Sequence, residues 1–340
     1  MIMKKIIFVT GSAGFIGFHL SKLLIDEGNI VIGIDAMTDY YDVDLKQSRL
    51  KILKQKSNFT DVKLDITNYQ LLEDLFKKYS PKYLIHLAAQ AGVRYSIKDP
   101  RSYLNSNIIG TFNILELIKK YNVSHTLIAS TSSVYGSNTE IPFKETHKTE
   151  TQMSFYAATK KSNECMAHSY SHIYNIPTTI FRFFTVYGPW GRPDMALFKF
   201  TKAIFDDKEI DVFNFGKMTR DFTYISDIAE AINLLVSKIP EEKSKRKSNY
   251  KFDSISDVAP FRIVNIGNSK PVTLIKYIET LEKEIGKKAK KNLMKLQIGD
   301  VPDTSSDITL LKELTGFIPK IHVTEGIKNF IKWYKSYYLK

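Results

Sequence analysis

The chain has 340 residues, 43% of them hydrophobic, with a formal net charge of +13 and a single cysteine. That length and apolar content support an ordinary globular core in one large domain or two coupled ones. No run approaches the ~18–20 apolar residues of a membrane span, the first apolar run is too short for a secretory leader, and Cys165 by itself excludes an internal disulfide.

A reducing, cytoplasmic setting is therefore expected, with Cys165 as a small core residue on a helix. The lysines are spread along the whole chain. Their densest run, Lys243-Ser244-Lys245-Arg246-Lys247, lies in a polar stretch (238–260) that reads as a solvated surface insertion. No zinc-ligand spacing, recognition-helix pattern or RNA-binding signature accompanies the charge, so nucleic acid is not an expected partner and no metal site is expected. A basic chain does attract polyanionic small molecules.

In chain order, Ile6-Ile7-Phe8-Val9 reads as a buried parallel strand. It runs into Gly11-Ser12-Ala13-Gly14-Phe15-Ile16-Gly17, after which Leu20, Leu23 and Leu24 suit an amphipathic helix ending at Gly28. Glycine at 11 permits a tight turn, and at 14 and 17 it lets backbone approach a phosphate and the strand. The helix N-terminus beyond would hold a pyrophosphate on its free N–H groups. A second run, Ile30-Val31-Ile32-Gly33-Ile34, ends in Asp35, where an acid binds a ribose 2′-hydroxyl and repels a 2′-phosphate. That favours NAD over NADP, unless Lys46 or Arg49 reaches back; the alternative for Asp35 is capping the loop that follows.

Further strands are expected at Val62–Leu64, at Tyr83–Ala89 after Pro81, at Thr126–Ser130 and at Thr178–Phe184. Helices are expected at 68–79, 100–121 and 155–174. Such alternation predicts a Rossmann-type α/β fold, a doubly wound parallel sheet, over residues 1–184. From residue 185 the rhythm breaks at Gly188-Pro189-Trp190-Gly191-Arg192-Pro193, a loop dense in turn residues. Shorter segments follow: helices near 194–207, 226–238, 273–286 and 324–337, and strands near 210–214 and 262–266. Residues 185–340 thus read as a smaller α/β substrate-binding cap, interleaved with the first part and without a clean boundary.

Tyr156 and Lys160 stand four apart on the expected 155–174 helix and share a face. A phenol titrates near pH ~10, so a neutral-pH base needs help, and the lysine cation supplies it. Such a phenolate takes a proton from a sugar hydroxyl while hydride leaves the same carbon. Ser130-Thr131-Ser132-Ser133 sits at a strand's carboxyl end, where ligands bind in such sheets. Thr131 can bond the same hydroxyl, or simply its own turn.

With these residues in view, the chain resembles the extended short-chain dehydrogenase/reductase family of nucleotide-sugar enzymes over nearly its whole length. Within that family it is most similar to UDP-glucuronate 4-epimerases. The most specific segments are Asp39-Tyr40-Tyr41-Asp42, Ala88 to Ser96, Ser130 to Gly136, and above all Arg182 to Ala196. The resemblance implies NAD held by Gly11, Gly14, Phe15, Ile16, Gly17 and Asp35. It implies adenine contacts from Asp65 and Ile66, and a nicotinamide-ribose strand at Leu87 and Ala89. Tyr156, Lys160 and Thr131 carry over as the catalytic group, with Tyr156 and Lys160 also contacting the cofactor, and Arg220 as an arginine on the nucleotide diphosphate, unless it pairs with Asp221. Ala36 departs from the Asn common in relatives and loses one polar contact to the adenosine ribose.

The activity so implied is conversion of UDP-glucuronate to UDP-galacturonate through a transient 4-keto sugar. That intermediate is a β-keto acid, so its carboxylate must be held away from the geometry that releases carbon dioxide. Arg192 is the candidate clamp, because a guanidinium forks onto a carboxylate; otherwise it faces water. Thr185 is expected on the sugar and Arg94 near the cofactor or substrate loop. Ser132 and Ser133 stand where related dehydratases and decarboxylases carry acids, which argues against those reactions. Other UDP-sugar 4-epimerases, a decarboxylase, or a non-catalytic NAD sensor are the alternatives. Relatives imply a homodimer through the helices near 100–121 and 155–174, and a role in surface-polysaccharide synthesis.

Overall fold

A computed structural model describes residues 5–242, 245, 250, 253–297 and 299–339. Of the Lys243–Lys247 run, only Lys245 falls within them. Seven parallel strands form the central sheet: β1 (Ile6–Thr10), β2 (Ile30–Asp35), β3 (Phe59–Lys63), β4 (Tyr83–His86), β5 (His125–Thr131), β6 (Thr178–Phe183) and the strand Phe261–Ile266. Their spatial order is Phe261–Ile266, β6, β5, β4, β1, β2, β3. The order reverses between β1 and β4, and in open α/β sheets ligands bind at that switch, beyond the strands' carboxyl ends. Interior strands are buried on both faces, which is why they read as continuous apolar runs.

The strand Phe261–Ile266 lies within the 185–340 part but belongs to the main sheet. It pairs with β6 in register from Thr178 to Phe183 and completes the main sheet. The helix Ile225–Val236 likewise packs against the helix Phe15–Asp26, and its Ile228, Ala231, Ile232 and Leu235 join the core under that sheet face. The cap proper has a separate apolar core built from Leu197, Phe198, Val212, Phe222, Tyr277 and Phe330. Phe15, from the glycine segment, is buried in that second core.

The helix Val43–Leu53 is absent from the sequence expectations. Its buried face carries Leu45, Leu50 and Leu53 together with Lys46 and Arg49, so two cations mask the apolar period. Asp42 caps it, accepting from Asp44 N at 2.9 Å and Leu45 N at 3.3 Å. The stretch expected as one helix over 100–121 divides into Pro100–Tyr103, a π-helical segment Leu104–Ile109, and Gly110–Lys120. Cys165, expected in the core, is exposed.

Candidate active site

The glycine loop leaves β1 with Gly11 at φ +74°, a left-handed turn that favours glycine. Gly11 N donates to Ile34 O at 2.7 Å, tying the turn to β2. A Cβ on Gly17 would collide with the Gly11 carbonyl oxygen, so the helix Phe15–Asp26 meets the strand only because residue 17 has no side chain. That helix begins at Gly14 without a side-chain cap. The Phe15 ring is committed to the second core, so Phe15 and Ile16 offer a ligand their backbone N–H groups, the orphan donors of a first helical turn. The same turn packs so closely that a Cβ on Gly11 would strike Ala88 and one on Gly14 would strike the Gly11 carbonyl oxygen.

Asp35 sits at the end of β2, accepting from Ala13 N at 3.1 Å and from Met37 N at 2.8 Å. It therefore braces both the glycine loop and its own following turn. Lys46 Nζ is bonded to Thr38 O at 2.6 Å and Oγ1 at 3.2 Å, and burial lowers its pKa. Arg49 is likewise committed, to Ala13 O and the Tyr41 hydroxyl, each at 2.8 Å, and to Trp190 O at 2.6 Å, so these bonds give neither cation to a 2′-phosphate. Asp65 Oδ1 accepts from Thr67 N at 2.9 Å, and Ile66 is buried under Gly110, with Asn113 Nδ2 on Ile66 O at 3.0 Å. Thr10 Oγ1 accepts from Leu87 N and Ala88 N, each at 3.1 Å, holding the Leu87–Ala89 segment against the glycine turn.

Across the switch point, Thr131 ends β5 and Tyr156 and Lys160 face it from the helix Phe155–Tyr174. Ser133 N donates to Thr131 Oγ1 at 3.1 Å, and the Thr131 hydroxyl lies 3.2 Å from Ser133 Oγ. Burial raises the Tyr156 phenol, while the Thr131 hydroxyl and the Arg192 charge pull it down. Burial lowers Lys160 to about 8, against the opposing charge of Glu164. The Lys160 ammonium donates to Ala129 O at 2.9 Å.

Glu164 is one turn beyond Lys160 and belongs to no motif in the sequence, although its spacing from Tyr156 and Lys160 puts it on their face. It bonds Arg182 Nε at 2.9 Å and Nη2 at 2.8 Å, and Ser130 Oγ at 2.6 Å, all buried. Burial pushes its carboxyl up, but Arg182 and Ser130 outweigh that and hold it below the usual range. The pair locks the Tyr156 helix to β5 and β6. Asn107 is likewise unmarked by any periodicity. The π-helical segment lets it bond Gln90 N at 2.8 Å, Gln90 O at 3.0 Å and Thr159 Oγ1 at 3.0 Å.

Arg192 does not face open water. It is only 20% exposed and forks onto Asp194, Nε to Oδ1 at 3.0 Å and Nη2 to Oδ2 at 2.6 Å. Tyr40 donates to Asp194 Oδ2 at 3.1 Å, and burial beside that carboxylate pushes its phenol up to about 12. Tyr103 stands between this group and Tyr156, 5.9 Å ring to ring from the latter. Thr185 opens a short strand and bonds Asp221 O at 3.0 Å through its N–H.

Arg220 does not pair with Asp221, which is buried among Ser306, Asn268 and Ser269. Its guanidinium donates to Thr219 O at 2.9 Å, Pro302 O at 2.8 Å and Val301 O at 2.7 Å. Arg94 bonds Asp300 at 3.1 Å and lies 4.5 Å over the Phe213 ring. Arg94 and Arg220 thus converge on residues 300–302. Among the described residues there is no cluster of metal ligands, and no helix long and apolar enough to cross a membrane.

The profile of the GDP-mannose 4,6 dehydratase family matches residues 8–330. The chain belongs to the extended short-chain dehydrogenase/reductase family. It is 52% identical over 334 residues to Protein CapI of Staphylococcus aureus, covering 98% of this chain and 99% of that one. It is 49% identical over 330 residues to a probable UDP-glucuronate 4-epimerase of Rhizobium meliloti, covering 97% of each. Its fold superposes with a TM-score of 0.87 on a UDP-glucuronic acid 4-epimerase from Bacillus cereus, crystallised with UDP-glucuronic acid and NAD. That pair shares 33% identity over 98% of this chain and 100% of the other. The Rossmann-type parallel sheet expected from the sequence is the architecture these family members share.

Proposed function

We propose that the chain interconverts UDP-glucuronate and UDP-galacturonate at C4, with NAD as its cofactor. The observation that carries this reading is the Tyr156, Thr131 and Lys160 group beyond the carboxyl end of β5, with the largely buried Arg192 guanidinium on the far side of Tyr103 from the phenol. The glycine turn and Asp35 would hold NAD, which would supply reversible hydride acceptance at C4.

Tyr156 takes the proton of the 4-hydroxyl, directly or relayed through the Thr131 hydroxyl that bonds the same oxygen. Lys160 keeps its ammonium on the Ala129 carbonyl, fixing strand and helix together beside the phenol. With Nε and Nη2 on Asp194, Arg192 has Nη1 left for the carboxylate of the 4-keto sugar, where its charge would keep the bond to that carboxylate from aligning with the ketone π system, the geometry that releases carbon dioxide. Asp194 orients that guanidinium. Ser132 and Ser133 leave the site without an acid for elimination or decarboxylation, Thr185 meets the sugar, and Arg94 and Arg220 hold the nucleotide. Residues 1–184 supply the cofactor side and residues 185–340 most of the substrate side.

The chain is further proposed to act as a homodimer in a reducing compartment such as the cytoplasm. Leu104, Ile109 and Phe112 expose apolar surface on one helical stretch, and Phe155, Ile173 and Tyr174 on the other, while Cys165 is a free, exposed thiol. The deciding experiment follows UDP-glucuronate with the purified protein by NMR. UDP-galacturonate is the expected product; a UDP-pentose with carbon dioxide as the main outcome, or no change, overturns the reading.

A further inference from the structure

Arg49 heads the largest fully buried side chains of the molecule, followed by Arg182. The two are held differently. Arg182 is neutralised by Glu164 at 2.8 Å. Arg49 has no carboxylate partner among the described residues. Its Nη1 donates to Ala13 O at 2.8 Å and to the Tyr41 hydroxyl at 2.8 Å, and its Nη2 donates to Trp190 O at 2.6 Å. Its Nε is buried with no hydrogen-bond partner. Lys46, also buried and close enough for the two charges to repel, adds to the positive charge. A buried cation left on carbonyls is costly unless an anion lies close by.

The two carbonyls belong to the two loops of the site. Ala13 lies between Gly11 and Gly14, and its N–H is held by Asp35 at 3.1 Å. Trp190 lies two residues before Arg192 and has a left-handed φ of +61°. A second tie runs beside the first, from His19 Nε2 to Pro189 O at 3.0 Å. The Trp190 ring is wedged against Phe18 at 5.5 Å, Trp333 at 5.4 Å and Tyr337 at 5.1 Å. The path Asp35, Ala13, Arg49, Trp190, Arg192 is continuous in hydrogen bonds and backbone.

We propose that Arg49 is a positioning residue that joins the cofactor loop to the loop bearing Arg192. A diphosphate on the glycine loop draws on the Arg49 charge, and the Arg49 hold on Trp190 O sets the placement of Arg192. Cofactor occupancy and carboxylate placement are thereby coupled through one guanidinium. The substrate arm of this inference rests on the proposed function; the cofactor arm does not.

The test uses the full chain carrying Trp333→Phe, so that Trp190 is the sole reporter of the two tryptophans, with Arg49→Lys and Arg49→Met added. Lysine keeps the buried charge but lacks the planar fork in which separate nitrogens, Nη1 and Nη2, serve Ala13 O and Trp190 O. In the parent, NAD titration is expected to shift Trp190 emission. Arg49→Lys is expected to bind NAD within a few-fold of the parent, to lose most of that shift, and to release a larger share of UDP-pentose from UDP-glucuronate. Arg49→Met, which also removes the charge, is expected to lose about tenfold or more in NAD affinity, as for a charge-assisted contact. If Arg49→Met does not fold, Arg49→Lys decides. The coupling is overturned if Arg49→Lys keeps the parent's Trp190 response and product ratio. If the parent makes no uronate product, the proposed function fails and the Trp190 response alone judges the coupling.

Discussion

The glycine loop and the Gly188–Pro193 loop meet at Arg49, yet they are built on opposite plans. The first is backbone chemistry: a left-handed Gly11, a Gly17 without room for a Cβ, and free N–H groups at a helix start, all within a few residues of one strand. The second is side-chain chemistry assembled from afar: Arg192 forked on Asp194, Asp194 bonded by Tyr40 from the first half, Trp190 wedged by Trp333 and Tyr337 from the last helix. A diphosphate is alike in every nucleotide, so a rigid backbone cradle serves the whole family. A sugar differs at each position, so its recognition falls to replaceable side chains whose placement needs external bracing.

The contrast is testable at the point where the two sides meet. Tyr156→Phe removes the proton acceptor without touching either loop. Turnover should fall by ~10²–10⁴-fold, the range of general acid–base catalysis, with NAD binding retained; a loss of NAD binding instead would mean that the phenol belongs to the cofactor side. Glu164→Ala removes the anion that bolts the Tyr156 helix to β6 and strands Arg182 in the core. The expected cost is about 3–5 kcal/mol, as for one partner lost from a buried pair, read as denaturant midpoint at constant m. A change within a few tenths would show that the bolt contributes nothing.

The smallest expected effect is on the pH profile. Burial lowers Lys160 to about 8, so the ammonium persists below that pH and is lost as pH rises through it. If the cation supports the phenolate, kcat/KM should fall on the alkaline side near that value. Lys160→Arg, which stays charged throughout, should lack that limb whatever its absolute rate. A limb unchanged in the arginine variant assigns it to another group.

Much of the cofactor side is legible in the order of residues. The glycine spacing, the apolar run ahead of it and Asp35 at the end of the next run are local, and the strand–turn–helix they imply forms as read. Tyr156 and Lys160 are legible as a pair at helical spacing, and Thr131 as a residue at a strand end. The helix Val43–Leu53 is not, because Lys46 and Arg49 occupy its buried face and break the apolar period that betrays a helix. Asn107 is hidden because a π-helical segment shifts the register on which periodicity depends. Asp194 stands two residues from Arg192, but nothing local says that it occupies the guanidinium.

Hydrophobic rhythm and glycine placement are short-range, so the chain alone determined a doubly wound sheet, its nucleotide cradle, and a phenol beside an ammonium on one helix face. Tertiary structure decided which carbonyls and carboxylates the buried cations meet. It also brought Phe261–Ile266 back to close the sheet beside β6. Partners as far apart as Arg49 and Trp190, 141 residues, are chosen by packing and by the need to satisfy a desolvated charge. Neither constraint leaves a periodic trace in the sequence.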